Sequence, residues 1–189
     1  MFLDSSVWFA YFSKSTNRNI GKTNAKNKIN DILDRNDRII ISTLVLLEMI
    51  DVLRTRYIEN NSSNDLNSAK KDKIKNTIEL KIQKVIDVIT QMELNGNLKI
   101  LDSVKSVHEI NSEIYSLSRS HFGEIIPNPT PNSSNCVYRG MHHIDYHHAL
   151  FAIECKADEI VTFDKGFSQI NKINDLKKKS MIVTILQQN

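Results

Sequence analysis

Short apolar runs separated by helix-period stretches are what most limits how this chain can fold. Met1–Asp4, Arg38–Ser42, Leu98–Leu101, Ile160–Phe163 and Met181–Leu186 read as strands. The run Ile39-Ile40-Ile41 has no polar alternation, the pattern of a strand buried on both faces in a parallel sheet. Between these runs the periodicity changes to that of helices. Ser5–Phe12 is a buried helix carrying Val7, Trp8, Ala10 and Tyr11, and Ala25–Arg35 places Ile29, Ile32 and Leu33 at helical spacing. Ser42 or Thr43 offers an N-cap for a helix reaching about Tyr57. Ile74, Ile78, Ile82, Val85, Ile89 and Met92 mark a long helix that Asn95-Gly96 ends. Ser103–Ser120, Ile144–Cys155 and Lys165–Ile173 are further helices. Ser13–Asn24, the Asn/Ser/Lys-rich Ile58–Lys73 and the stretch Phe122–Met141, which holds Pro127, Pro129 and Pro131, read as loops. Strands alternating with helices predict an α/β fold with a mainly parallel sheet.

At 189 residues the expectation is one domain over 1–189, large enough to bury a core. With 40% apolar and 25% charged residues it is neither disordered nor collagen-like. Two cysteines, Cys136 and Cys155, are too few for a disulfide framework and point to a reducing cytoplasm. Cys136 reads as a loop thiol and Cys155 as a small buried hydrophobe. No apolar run is long enough for a transmembrane helix, and Met1-Phe-Leu-Asp4 lacks the features of a signal peptide, so no membrane is expected. A net charge of +3 mildly favours an anionic partner. The chain has no glycine-rich nucleotide fingerprint, no phosphate loop and no Gly-x-Ser-x-Gly elbow.

The positions of the acids are more informative. Asp4 ends the first strand and Asp164 follows Ile160–Phe163, and in a parallel sheet sites form just beyond the carboxyl ends of strands. Glu48 sits in the apolar helix Thr43–Ile50, where a carboxylate is costly unless paired or metal-bound. Asp145 opens the helix that carries His148 and Ala149 on the same face. Taken singly, Asp4 and Asp145 also fit helix caps or first-turn charges, and Asp164 fits a turn. Carboxylates converging from four elements would repel one another, and a divalent cation removes that conflict. Hard oxygen ligands select Mg²⁺ or Mn²⁺.

Three segments carry a resemblance: Leu3-Asp4-Ser5-Ser6-Val7-Trp8; Ile41-Ser42-Thr43 followed by Glu48; and Asp145-Tyr-His-His-Ala-Leu-Phe-Ala-Ile with Ala157-Asp-Glu-Ile-Val-Thr-Phe-Asp-Lys-Gly-Phe167. Together they resemble the PIN-domain family of metal-dependent ribonucleases, whose most numerous members are the VapC-type toxins of toxin–antitoxin pairs. The resemblance implies a three-layer α/β/α sandwich with four acids meeting at the carboxyl edge of a parallel sheet. Asp4, Glu48, Asp145 and Asp164 occupy the family's acidic positions, and Ser6 and Thr162 match the small hydroxyl residues that support them. His148 sits where many relatives carry a polar residue or histidine, and it is given no catalytic role. Typical toxins are shorter. The excess here forms insertions at about 58–92, a helical region that in toxins often serves dimerisation and antitoxin binding, and at 122–141, just before Asp145. The zinc ribbon of ribosome-processing members is missing.

The expected function is therefore metal-dependent endonucleolytic hydrolysis of RNA, with a type II toxin role as the finer expectation. Asp4 and Asp164 would hold the principal ion, Asp145 would share it or hold a second, and Glu48 would orient the attacking water or its metal. RNA is the expected substrate, an antitoxin protein and a second copy of the chain the expected partners. Lys70, Lys71, Lys73, Lys75 and Lys177–Lys179 are candidates for backbone contact. An RNA-processing nuclease outside toxin systems and a non-catalytic RNA- or protein-binding module are the alternatives. A phosphotransferase with an Asp nucleophile would want a second Asp where Ser6 stands. His142, His143, His147 and His148 invite a zinc reading, but no complete ligand set is visible.

Overall fold

The shortest strand sits at the centre of the sheet. The computed structural model describes residues 1–12, 20–61, 67–120, 124–127, 136–139, 141–172 and 181–187. Strand β1 (Phe2–Leu3) lies between β2 (Ile39–Ser42) and β6 (Glu159–Thr162), while β3 (Leu98–Leu101) and β7 (Ile182–Ile185) form the edges, in the order β3-β2-β1-β6-β7. Every neighbouring pair is parallel, with Phe2 opposite both Ile40 and Ile160 and Leu3 opposite Val161. The carboxyl ends of all five strands therefore lie on one edge. The chain winds outward from β1 through β2 to β3, then crosses to β6 and β7, so the winding reverses between β1 and β6. A crevice for a ligand opens at such a reversal.

Helices α1 (Ser5–Phe12), α2 (Ile20–Asp34), α3 (Thr43–Asn61) and α4 (Ser68–Leu94) pack on one another, and α5 (Val107–Ser120) packs on α6 (His143–Glu154). The result is a three-layer α/β/α sandwich. Phe2, Leu3, Ile39, Ile41, Ile160 and Val161 are fully buried, so the central strands form the middle of the core and leave no polar side to the sheet. Trp8, Phe151 and Tyr146 fill the layers against them. The helical stretch expected after β6 is a 3₁₀ helix, Lys165–Lys172.

Local chemistry explains the boundaries. Ser42 Oγ accepts from Val45 N–H at 3.2 Å, which makes it the cap of α3. At the end of α4 the N–H of Asn97 bonds to Met92 O and that of Gly96 to Glu93 O. This closure requires a left-handed residue, and Gly96 supplies it with φ of 75°.

Three expected loops differ from the structure. Residues 20–24 belong to α2, and 13–19 lie outside the described residues. The segment Ile58–Lys73 is helical at both ends, because α3 runs to Asn61 and α4 begins at Ser68. Asn67 Oδ1 accepts from Lys70 N–H at 2.9 Å and caps α4; these turns are exposed and so carry no apolar stripe to read. The stretch Phe122–Met141 contains an antiparallel ribbon, β4 (Glu124–Pro127) with β5 (Cys136–Arg139), paired from Glu124–Arg139 to Pro127–Cys136. Pro127 is compatible with it because a two-stranded ribbon leaves each strand an edge where no N–H is needed. Pro129 and Pro131 fall outside the described residues.

Candidate metal centre

Asp4 is the residue from which the site is built. It follows β1 at the reversal point, is 4% exposed, and its N–H still bonds to Val161 O of β6 at 3.0 Å. Its Oδ2 accepts from Ser6 Oγ at 2.6 Å and from Thr162 Oγ1 at 2.9 Å. Each hydroxyl has one proton, so both donate to Asp4, and the 3.3 Å approach of Ser6 Oγ to Thr162 Oγ1 is a contact without one. Both hydroxyls also accept a backbone N–H from the far side: Ser6 from Phe163 at 3.0 Å, Thr162 from Asp164 at 2.9 Å. The start of α1 and the end of β6 are thereby locked to one carboxylate oxygen. Oδ1 of Asp4 lies 3.9 Å from His148 Nε2.

Glu48 reaches the same place from α3. Its side chain is 26% exposed, and its Oε2 is 3.0 Å from His148 Nε2. Burial pushes this carboxyl upward, but the hydrogen bond and charge of His148, with hydrogen bonding from Ser5, outweigh burial and hold it below its ordinary value. Ligand atoms of Asp4, Glu48 and His148 all lie within 4.8 Å of one another.

Asp145 enters from α6, third in the helix rather than first. Its Oδ2 reaches back to accept the His142 N–H at 2.8 Å, so the capping role and proximity to the site coexist in one side chain. The carboxyl is pushed up to about 6, chiefly by burial, with Asp164 and Asp4 adding to the rise against the His142 bond. Asp164 follows β6 and is half-buried; its Oδ1 accepts from Gly166 N–H at 2.7 Å, the turn geometry that Phe-Asp-Lys-Gly favours.

The fold thus gathers Asp4, Glu48, Asp145 and Asp164 at one edge of the sheet, together with the Ser6 and Thr162 hydroxyls. It also brings in His148, to which the sequence assigned no role. The available signal was its position three residues after Asp145, on the same helix face. A four-histidine zinc site does not form: His142 and His143 are exposed and His143 meets Ser118 at 3.3 Å. The ring of His147 stands edge-on to His148, with centroids 6.0 Å apart. Cys155 is a half-buried free thiol whose pKa burial raises, while the Cys136 side chain and Lys177–Lys179 lie outside the described residues.

The donor set suits a divalent cation. Asp4 and Glu48 offer ligand atoms within 4.8 Å of one another and of His148, and the Asp145 carboxyl is pushed up by burial first and then by Asp164 and Asp4. A family model for the PIN domain matches residues 1–173. The chain belongs to the PIN-domain family. PIN domains are generally nucleases and typically metal-dependent. No curated protein sequence matches the chain. Among the described residues of this PIN domain no helix is long and apolar enough to cross a membrane.

Proposed function

We propose that this PIN domain is an endoribonuclease that hydrolyses RNA phosphodiester bonds with Mg²⁺ or Mn²⁺. The observation that carries the reading is Asp4 at the reversal point of a parallel sheet, with ligand atoms of Glu48 and His148 within 4.8 Å and with Asp145 pushed up to about 6 by burial and by Asp164 and Asp4. Asp4 and Asp164 hold the principal cation, and Asp145 shares it or a second. The cation, when bound, supplies acidification of water and neutralisation of transition-state charge. Ser6 and Thr162 occupy Oδ2 of Asp4 and fix the plane of its carboxylate. Glu48, held ionised by His148 and Ser5, would take part in holding the metal or orient the attacking water beside it. Lys70, Lys71, Lys73 and Lys75, all on α4, attract the RNA backbone without reading its sequence.

The finer reading is a toxin with an antitoxin partner, active as a homodimer in the cytoplasm. An open groove of about 430 Å³ between α3 and α4, floored by Ile58, Ile74, Ile78 and Ile82, is the apolar surface that supports a protein partner. Arg54, Lys71 and Lys75 stand at its rim.

The test is cleavage of single-stranded and structured RNA with each metal, wild type beside Asp4→Asn. Cutting that EDTA and Asp4→Asn both abolish is expected. Mn²⁺ binding that survives Asp4→Asn, or no metal binding at all, would overturn the reading. Growth arrest on expression, relieved by Asp4→Asn, tests the toxin role, and sedimentation tests the dimer.

A further inference from the structure

We propose that His148 is the positioning residue of this centre: its Nε2–H donates to Glu48 and fixes that carboxylate, and the imidazole is not itself a metal ligand. The inference rests on the metal-dependent reading above and adds a residue to it. His148 is fully buried on α6, and Glu48 belongs to α3, 100 residues earlier in the chain. An ionised carboxylate only accepts hydrogen bonds, so the 3.0 Å contact between Glu48 Oε2 and Nε2 requires the proton on Nε2.

The other ring nitrogen decides between positioning and ligation. Nδ1 of His148 is buried and has no hydrogen-bond partner among the described residues. A histidine that binds a metal through Nε2 carries its proton on Nδ1 and almost always donates it to a carboxylate, a carbonyl or water. No side chain or carbonyl of the described residues accepts that proton, and the same tautomer would turn the Nε2 lone pair on the Glu48 carboxylate 3.0 Å away. With a proton on Nε2 that repulsion becomes a hydrogen bond to a carboxylate, and the Phe2 ring, 5.8 Å from the imidazole, packs beside it. Burial on a helix gives the N–H a fixed direction. Glu48, with three rotatable bonds and an exposed fraction, would otherwise sample several orientations.

The test compares His148→Gln, which can return an N–H near the Nε2 position, with His148→Leu, which cannot. The readouts are Mn²⁺ affinity by calorimetry and pulsed electron paramagnetic resonance of bound Mn²⁺. Expected are no directly coordinated nitrogen in the wild type, a loss of about 10–100-fold in Mn²⁺ affinity for His148→Leu, and recovery to within about threefold for His148→Gln. A directly coordinated ¹⁴N that disappears in His148→Gln would make the imidazole a ligand and overturn the proposal. So would a glutamine variant as weak as the leucine variant, or a leucine variant as tight as wild type. If His148→Leu does not fold by circular dichroism, the wild-type resonance spectrum and the affinity of the glutamine variant decide the matter. Mn²⁺ binding that needs Asp4 but ignores His148 sinks this inference alone. Binding indifferent to Asp4 sinks the metal-dependent reading and this inference together.

Discussion

Thr162 Oγ1 donates to Asp4 Oδ2 at 2.9 Å while accepting the Asp164 N–H, also at 2.9 Å. One buried hydroxyl thus ties two acids of the crevice, from residues 158 positions apart in the first of these bonds. Ser6 does the same for Asp4 and Phe163. The Asp4 carboxylate is held by hydroxyls already committed at both ends, so its placement is part of the core.

Thr162→Val keeps the shape of the side chain and removes the hydroxyl. It removes a donor to the buried Asp4 carboxylate and leaves the half-buried Asp164 N–H without its acceptor, and a cost of about 1–3 kcal/mol in urea unfolding is expected. Mn²⁺ affinity should fall by about 10-fold or more, because Asp4 loses an orienting donor. Unchanged affinity in a folded variant would show that Ser6 alone suffices.

Asp145 predicts the pH dependence of the metal-free protein. Its carboxyl is raised to about 6 in the fold, from an ordinary value of 3.8. The folded state then binds the proton more tightly than the unfolded state, so this contribution to stability is complete below pH 3.8 and is lost as pH rises through about 6. The loss is about 3 kcal/mol at most, because each tenfold difference in proton affinity between the two states is worth about 1.4 kcal/mol. In EDTA, Asp145→Asn should be more stable than wild type at pH 7 and should flatten the decline between pH 4 and 7, read by thermal unfolding at each pH. A variant equally or less stable at pH 7 contradicts the assigned crowding.

Metal should reverse that penalty. A cation bound only by the folded state stabilises it by about 2.7 kcal/mol at 100 times its Kd. Mn²⁺ should therefore raise the melting temperature of the wild type at pH 7 and leave that of Asp4→Asn unmoved, measured by calorimetry.

Lys28 and Glu159 provide a control remote from the chemistry. Their ion pair, at 2.8 Å and mostly buried, lies where β6 begins, at the opposite edge of the sheet from Asp164. Burial raises the Glu159 carboxyl, but bonds from Lys28 and Thr184 overcome it and hold the pKa below normal. Lys28→Ala should destabilise by about 2 kcal/mol, less than the loss of a fully buried partner, with Mn²⁺ affinity unchanged. A fall in affinity would mean that the two edges of the sheet are coupled.

The layered α/β architecture was legible because its signals are local. Five apolar runs and the helical stripes between them correspond to strands and helices of the structure, and Asn95-Gly96 marked a helix end that Gly96 closes with its positive φ. What the residues hid was also local in cause. The turns around Asn61 and Ser68 are exposed and have no stripe, and prolines disguised the ribbon from Glu124 to Arg139.

The site divides along the same line. Asp4 and Asp164 could be placed from sequence because each follows a strand, and a parallel sheet sends all carboxyl ends to one edge. Glu48 stood out as a charge among aliphatic residues. His148 could not be placed, because its role depends on a partner 100 residues away on another helix. The resemblance marked Ser6 and Thr162 as supporting hydroxyls, but that both donate to one oxygen of Asp4 depends on the fold, as does the raised Asp145, whose shift comes from burial and from acids brought close by folding. Periodicity and strand-end position are properties of the chain and survive in its one-dimensional order. Which oxygen meets which proton is set by the packing of α3 and α6 around β1 and β6, and only the tertiary structure decided it.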